Sequence, residues 1–269
     1  ILKTGANVFL TGEPGSGKTH TVNRYVADLR DCGVEPSITA STGIAATHIG
    51  GYTIHSWSGI GVRPKLTKYD LDHIANNKRV YGRVNNARIL IIDEVSMLSE
   101  RTLGMVDAVC REVRQNPQPF GGLQIVFVGD FFQLPPVNKQ ERGESDNVQQ
   151  SFTTQDAPER FAFTSPAWQK ANPLTCYLTE QHRQEDALFL EFLSAVRKGA
   201  AEERHKALLR TRYAKTAQNG ITQLYSHNAD VDYINNRELA KLPGQPKAFI
   251  MEDRGPEPLV QSLKRGCLS

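Results

Sequence analysis

Cysteine is scarce in this sequence: Cys32, Cys110, Cys176 and Cys267 are the four in 269 residues, with no C-x-x-C pair and no histidine cluster beside them. That excludes a disulfide frame and a zinc site of familiar spacing. It points to a reducing, intracellular home: cytoplasm or nucleoid in a bacterium, nucleus or mitochondrion in a eukaryote. Long apolar runs are missing too. None approaches the ~20 residues that span a bilayer, so no membrane partner is expected. The opening ILKTGANVFLTGEPG holds only a short, Gly-broken apolar piece that runs into a motif rather than a cleavage site, unlike a signal peptide. A large excess of one charge is also absent, since the net charge is only +3. The charge is uneven, however. Between Arg63 and Arg88 stand seven basic residues and two acids, a local excess above the whole-chain total. Such a run is either a solvated face or a surface for a polyanion.

What is present is an ordinary globular composition, 39% hydrophobic and 23% charged, long enough for one large domain or two smaller ones. Patterning predicts strands at 7–11, 36–40, 88–93 and 123–129. Helices are expected at 20–32 and 99–114, a helical segment at 42–50, and a basic insertion at 62–87. Leu103, Val106, Cys110 and Val113 form the buried stripe of the helix at 99–114. Alternation of strand and helix makes this an α/β chain with a parallel sheet flanked by helices on both faces. The polar stretch 139–160 reads as a mobile surface loop. Residues 185–210 look helical, and ITQLYS at 221–226 looks like a further strand.

The sharpest motif is GEPGSGKT at 12–19, which fits G-x-x-x-x-G-K-[ST]. Its flanks fit as well. NVFLT before it suits a buried parallel strand. After it, Val22, Tyr25, Val26 and Leu29 fall at helical spacing, and Gly33 is placed to end that helix. Gly12, Gly15 and Gly17 let the backbone turn its N–H groups toward phosphate oxygens, and the helix N-terminus adds partial positive charge. Lys18 reaches the outer phosphates, and Thr19 offers a hydroxyl to magnesium (Mg2+). A second run, RILIIDE at 88–94, ends a buried strand in two acids. Asp93 suits the magnesium shell, and Glu94 suits a general base for the attacking water.

A third run, LQIVFVGD, leads into GDFFQLPPV at 129–137. Its end is expected on the same sheet edge, where α/β folds bind ligands. Gln133 would there meet the terminal phosphate or the attacking water, with Pro135 and Pro136 stiffening the exit. The plainer alternative makes Phe131 and Phe132 core and the prolines a strand end.

These blocks resemble the Pif-type (petite integration frequency) DNA helicases of helicase superfamily one, similar to RecD-like motors. The resemblance rests on TGEPGSGKTH at 11–20, TASTGIAATHIGGYTIHSWSGIG at 39–61, IIDEVSML at 91–98 and RQNPQPFGGLQIVFVGDFFQLPPV at 114–137. LTEQHRQ at 178–184 and YSHNADVDYINNREL at 225–239 extend it. It implies a RecA-like P-loop NTPase using ATP with magnesium and moving 5′→3′ on single-stranded DNA. The first motor domain would span 1–180 and part of a second 181–269. The whole loop from Gly12 to His20, with Glu13, Pro14 and Ser16, would hold the nucleotide. Lys18, Glu94 and Gln133 would be catalytic, joined by Arg183, the arginine that contacts the terminal phosphate from the interdomain hinge. Gly50, Gly51, Thr53, His55, Ser56, Trp57, Arg63, Pro136 and Val137 would meet DNA. Gly50 and Gly51 would act through backbone N–H groups and Trp57 as a stacking face or, equally, a core side chain. The basic insertion would face DNA and help part the duplex. Against the family pattern, the sequence starts after the glutamine motif that reads adenine and ends before the later motifs of the second motor domain.

Three functions compete: a monomeric motor on single-stranded, forked or structured DNA, an ATP-operated switch or loader, and a small-molecule kinase. Glu94 beside Asp93, with GDFFQLPP, argues against the kinase.

Overall fold

The structure, a computed structural model, describes residues 2–136, 160–182, 186–213, 222–225, 228–244 and 247. Arg183, Val137 and the stretch 139–159 lie outside the described residues. The chain divides into two compact units, Ile1–Ala207 and Leu208–Ser269.

The first unit is built on six strands: β1 (Val8–Gly12), β2 (Ser37–Ala40), β3 (Tyr52–Thr53), β4 (Ile89–Asp93), β5 (Gln124–Val128) and β6 (Leu174–Leu178). Their order is β3-β2-β4-β5-β1-β6, and every neighbouring pair is parallel. Parallel sheets need cover on both faces, so their central strands are apolar on both sides. Here Leu90 and Ile92 of β4, with Ile125 and Phe127 of β5, point to one core, while Ile89, Ile91, Val126 and Val128 point to the other. That is the two-residue period of a strand carried out on two buried faces. Each such side chain, once fully buried, contributes about 1.5–3 kcal/mol.

Helix α1 (Lys18–Asp31) covers the second face through Val22, Tyr25 and Val26. It starts two residues earlier than the apolar pattern alone suggests, so Lys18 and Thr19 sit in its first turn. Gly33, at φ 74, ends it, its N–H donating to the Arg30 carbonyl. The other face is covered by α3 (Ile54–Ser58), α4 (Lys68–Asn76), α5 (Lys78–Asn86), α6 (Glu100–Arg114) and α7 (Pro166–Ala171), while α2 (Gly43–His48) packs beside β2 and β3. The stripe expected on α6 is buried as read, capped by Ser99, which accepts the Thr102 N–H.

The basic insertion is not a detached, solvated segment. Thr67 and Asp70 close a capping box on α4, and Asn77 caps α5. Ile74, Val80 and Val84 then enter the same core as Trp57, Leu90 and Leu103. Arg114 of α6 fastens the end of α5: its Nη1 donates to the carbonyls of Asn85 and Ala87 at 2.9 Å each, and its Nε to Gly121 at 2.7 Å. In the PFGG turn a Cβ on Gly121 would fall 2.6 Å from the Cys110 carbonyl, so this turn packs directly on α6 and sets where β5 begins.

After β6 come α8 (Ala187–Arg197) and α9 (Glu203–Arg212), interrupted at Gly199 with φ 65. In the second unit α10 (Asn228–Leu239) is helical. Of the strand expected at 221–226, the described residues 222–225 correct the expectation: they have no regular structure, and Leu224 is 96% exposed; residues 221 and 226 lie outside the described residues.

Candidate nucleotide-binding site and nucleic-acid face

Strands β4, β5 and β1 are neighbours, so their C-terminal tips stand side by side. The loop after β1 is shaped by close approach. A Cβ on Gly12 would lie 2.6 Å from the Leu178 carbonyl, and Gly17, at φ 84, caps α1 in a left-handed conformation. Lys18 folds back so that Nζ donates to the carbonyls of Gly12 at 2.9 Å and Glu13 at 3.0 Å. Burial pushes its pKa down, while the charges of Asp130 and Glu94 oppose that shift. The Ser16 hydroxyl is buried without a hydrogen-bond partner, so the loop keeps one unspent polar group at its centre.

Asp93 ends β4. Burial pushes its carboxyl above the ordinary range, opposed by the Glu94 N–H, which donates to Oδ1 at 2.8 Å, and by Lys18. Glu94 follows in a left-handed conformation, φ 52, rare for a residue with a side chain and typical of strained functional positions. Its carboxyl is pushed up by burial and then by the Asp93 charge. Lys18, Thr19, His20, Glu94 and Gln133 line one cleft of about 400 Å3, with Pro14, Gly15 and Gly17. Asp93 stands beside that lining and acts on Lys18 through its charge.

Gln133 reaches the cleft held by its own strand end. Its Nε2 donates to Asp130 Oδ2 at 3.1 Å, and the Phe132 N–H donates to Oδ1 at 3.1 Å. Asp130 is 1% exposed, and Arg197 of α8 meets it at 2.5 Å. Burial pushes the Asp130 carboxyl up, but the bonds from Arg197, Gln133 and Phe132 outweigh it and hold the group below its ordinary value. Sequence reasoning missed Asp130 as a hub and missed Arg197 altogether. It also missed Gln181 and His182. Gln181 Nε2 donates to Glu13 at 2.8 Å and the His182 N–H to the Gly15 carbonyl at 3.0 Å, tying the loop to the end of β6. The LTEQHRQ block was the available signal for that pair.

Hard oxygen donors at Thr19 and Asp93, beside an orphaned serine hydroxyl, fit magnesium bound together with a triphosphate. Among the described residues no group of three or more His, Cys, Asp or Glu is placed to hold a metal by itself.

Of the residues expected at DNA, Gly50 to Arg63 lie on β3, at one edge of the sheet, on α3 and on the turns around them, whereas Pro136 follows β5. Ser56 is exposed, while Thr53 and His55 are half-buried. Thr53 also caps α3, accepting the Ser56 N–H at 3.2 Å. The structure places the other residues expected there as follows. Trp57 is 1% exposed and belongs to the core, so it presents no stacking face. The Gly50 and Gly51 N–H groups donate to the carbonyls of Thr47 and Ala46, closing α2, and have none left for phosphate. Pro136 is buried. Arg63 donates to the Ile60 carbonyl at 3.0 Å and pairs with Asp70 at 3.4 Å. Arg83 donates to the carbonyls of Trp57 and Ser56 and lies over the Tyr52 ring, 5.7 Å from its centroid; it is a staple between α3 and α5. Lys78, Arg79 and Arg88 remain exposed.

A parallel sheet delivering a phosphate loop, paired acids and a glutamine at adjoining tips defines a RecA-like motor domain. The family model described as PIF1-like helicase matches residues 1–207, and the chain belongs to that family. It is similar to the ATP-dependent DNA helicase Pif1 of Psychrobacter sp., 46% identical over 274 residues, covering 98% of this chain and 40% of that relative. The crystal structure of Pif1 helicase from Candida albicans superposes with TM-score 0.80 at 32% identity, covering 99% of this chain and 59% of that one. A Pif1 helicase from Bacteroides, crystallised with ADP-AlF3 and single-stranded DNA, superposes at 0.66 and 28% identity, covering 94% and 58%. The chain thus spans about two fifths of the length of the curated relatives it matches. Among the described residues no helix is long and apolar enough to cross a membrane.

Proposed function

We propose that this chain carries the first motor domain, with part of a second, of an ATP-dependent DNA helicase. It couples hydrolysis of ATP, bound with magnesium, to 5′→3′ movement on single-stranded DNA at forks or other structured DNA. DNA repair, recombination or replication is its setting, in a reducing intracellular compartment. The observation that carries the reading is the single cleft shared by Lys18, Glu94 and Gln133. Family membership supports it, as does the Bacteroides relative that holds both a nucleotide analogue and single-stranded DNA.

In this cleft Lys18 leaves the two loop carbonyls to meet the outer phosphates, and the loop N–H groups take the remaining oxygens. Thr19 and Asp93 hold magnesium, which when bound neutralises charge on the phosphates. Glu94, its pKa raised, orients and deprotonates the attacking water. Gln133 meets the terminal phosphate and registers its loss. By the family resemblance, Arg183, outside the described residues, adds positive charge at the terminal phosphate. The monomer is the working unit in this reading.

The second reading is a DNA-associated ATP switch or loader. ATP hydrolysis by the full-length protein, measured with and without oligo-dT, separates the two. Strong stimulation is expected of a motor; a rate indifferent to DNA would leave the switch.

A further inference from the structure

Gln133 lies on the wall between two cavities. One is the nucleotide cleft. The other, about 290 Å3, is lined by Phe189, Leu193, Val196 and Arg197 of α8 together with Asp130 and Phe132. The only charged side chain that α8 sends to this wall is Arg197, and its side chain is 14% exposed against 0% for that of Asp130. A guanidinium so enclosed is not an ordinary surface partner. Its Nη1 shares one oxygen, Asp130 Oδ2, with the amide of Gln133: 2.5 Å from the arginine and 3.1 Å from the glutamine. Its plane also lies over Phe132, 4.4 Å from the ring centroid, fixing the residue that precedes Gln133.

We propose that Arg197 is a positioning residue for the phosphate sensor. Through the buried Asp130 carboxylate it sets how tightly the Gln133 amide is held back from the terminal phosphate of the nucleotide. The inference rests on the reading that Gln133 meets that phosphate. Without Arg197, Oδ2 keeps its full charge for the Gln133 amide, and at the cleft that charge is opposed by Lys18 without the help of Arg197. Both effects disfavour a terminal phosphate: one withholds a donor, the other adds like-charge repulsion. A diphosphate, lacking that group, is indifferent to both. The signature is therefore a change in preference between triphosphate and diphosphate, not a general loss of binding.

The test is fluorescence titration of the full chain, with magnesium, using mant-AMPPNP and mant-ADP. Gln133→Ala is expected to lose the triphosphate preference. Arg197→Ala is expected to lower that preference about tenfold, the scale of one charge-assisted hydrogen bond, with ADP affinity held. Arg197→Lys, keeping the charge, is expected to recover most of it. An unchanged preference in Arg197→Ala while Gln133→Ala loses it overturns the proposal and leaves the sensor intact. An equal loss of ADP affinity marks a merely structural arginine and also overturns it. An unchanged preference in Gln133→Ala removes the sensor reading and the proposal with it. Should Arg197→Ala not fold, Arg197→Gln, which drops the charge beside Asp130 but keeps a hydrogen-bond donor, carries the same test: a lowered triphosphate preference with ADP affinity held is expected, and an unchanged preference overturns the proposal.

Discussion

Asp93 and Glu94 stand where charge is unwelcome, and this has a consequence for stability. Burial raises the Asp93 pKa above its ordinary value of 3.8. Above the raised value the native state carries a buried charge that the unfolded state hydrates; below 3.8 both states are protonated and the penalty vanishes. Asp93→Asn keeps an oxygen for the Glu94 N–H and removes the charge. It is therefore expected to raise the melting temperature at pH 8 without nucleotide, and the gain should shrink on acidification until it disappears. Thermal melts across pH read this directly; a gain that grows in acid would contradict it. Lys18→Ala belongs to the same scale. Its partners are two carbonyls of its own loop, so the fold should survive while triphosphate affinity falls about ten- to a hundredfold, as expected for lost charged hydrogen bonds. Both residues were legible in the sequence because the chemistry is local: a loop of fixed spacing, and two acids at the end of an apolar run. Arg197 was not, because it stands 67 positions from Asp130 and only the fold brings the two together.

Strands β1, β4 and β5 were read from their apolar runs, and α6 from its stripe. Two other strands escaped for physical reasons. β3 has two residues, too few to show a period, and β6 is largely exposed, with only Cys176 and Leu178 partly buried, so its apolar signal is weak. The insertion escaped differently. Its charge masked the narrow stripe Ile74, Val80 and Val84, although the spacing of Thr67 and Asp70 already marked a helix start. This divides its cations into two kinds. Arg83→Ala removes donors from two carbonyls at the end of α3 and is expected to cost about 1–3 kcal/mol in urea unfolding. Lys78→Ala with Arg79→Ala should leave stability unchanged. If these exposed cations meet single-stranded DNA, the pair should lower the slope of log affinity against log salt by about 0.7 for each phosphate no longer neutralised. A slope that stays fixed would make them a solvated face.

At the scale of the molecule, the sheet carries the two functional edges on one frame. Ala40 of β2 stands in register with Asp93 of β4, and the Ser41 N–H donates to the Asp93 carbonyl at 3.2 Å. The segment from Ser41 to Ser58, where DNA contacts were expected, thus leaves the sheet next to the acid at the nucleotide. Both hydrophobic cores, all six strands and every cleft residue from Gly12 to Arg197 lie within the first compact unit. The match to the family model ends at the same place, residue 207. Burial of apolar surface against both faces of the sheet is what makes such a unit fold alone. A chain cut after Tyr213, keeping α9 whole, is therefore expected to unfold in one cooperative transition. It should bind mant-AMPPNP with magnesium within about threefold of the full chain, a difference of roughly 0.6 kcal/mol. Calorimetry and titration of the cut chain check both points. A broad, noncooperative melt, or loss of binding beyond tenfold, would show that the first unit borrows its stability or its cleft from residues beyond α9.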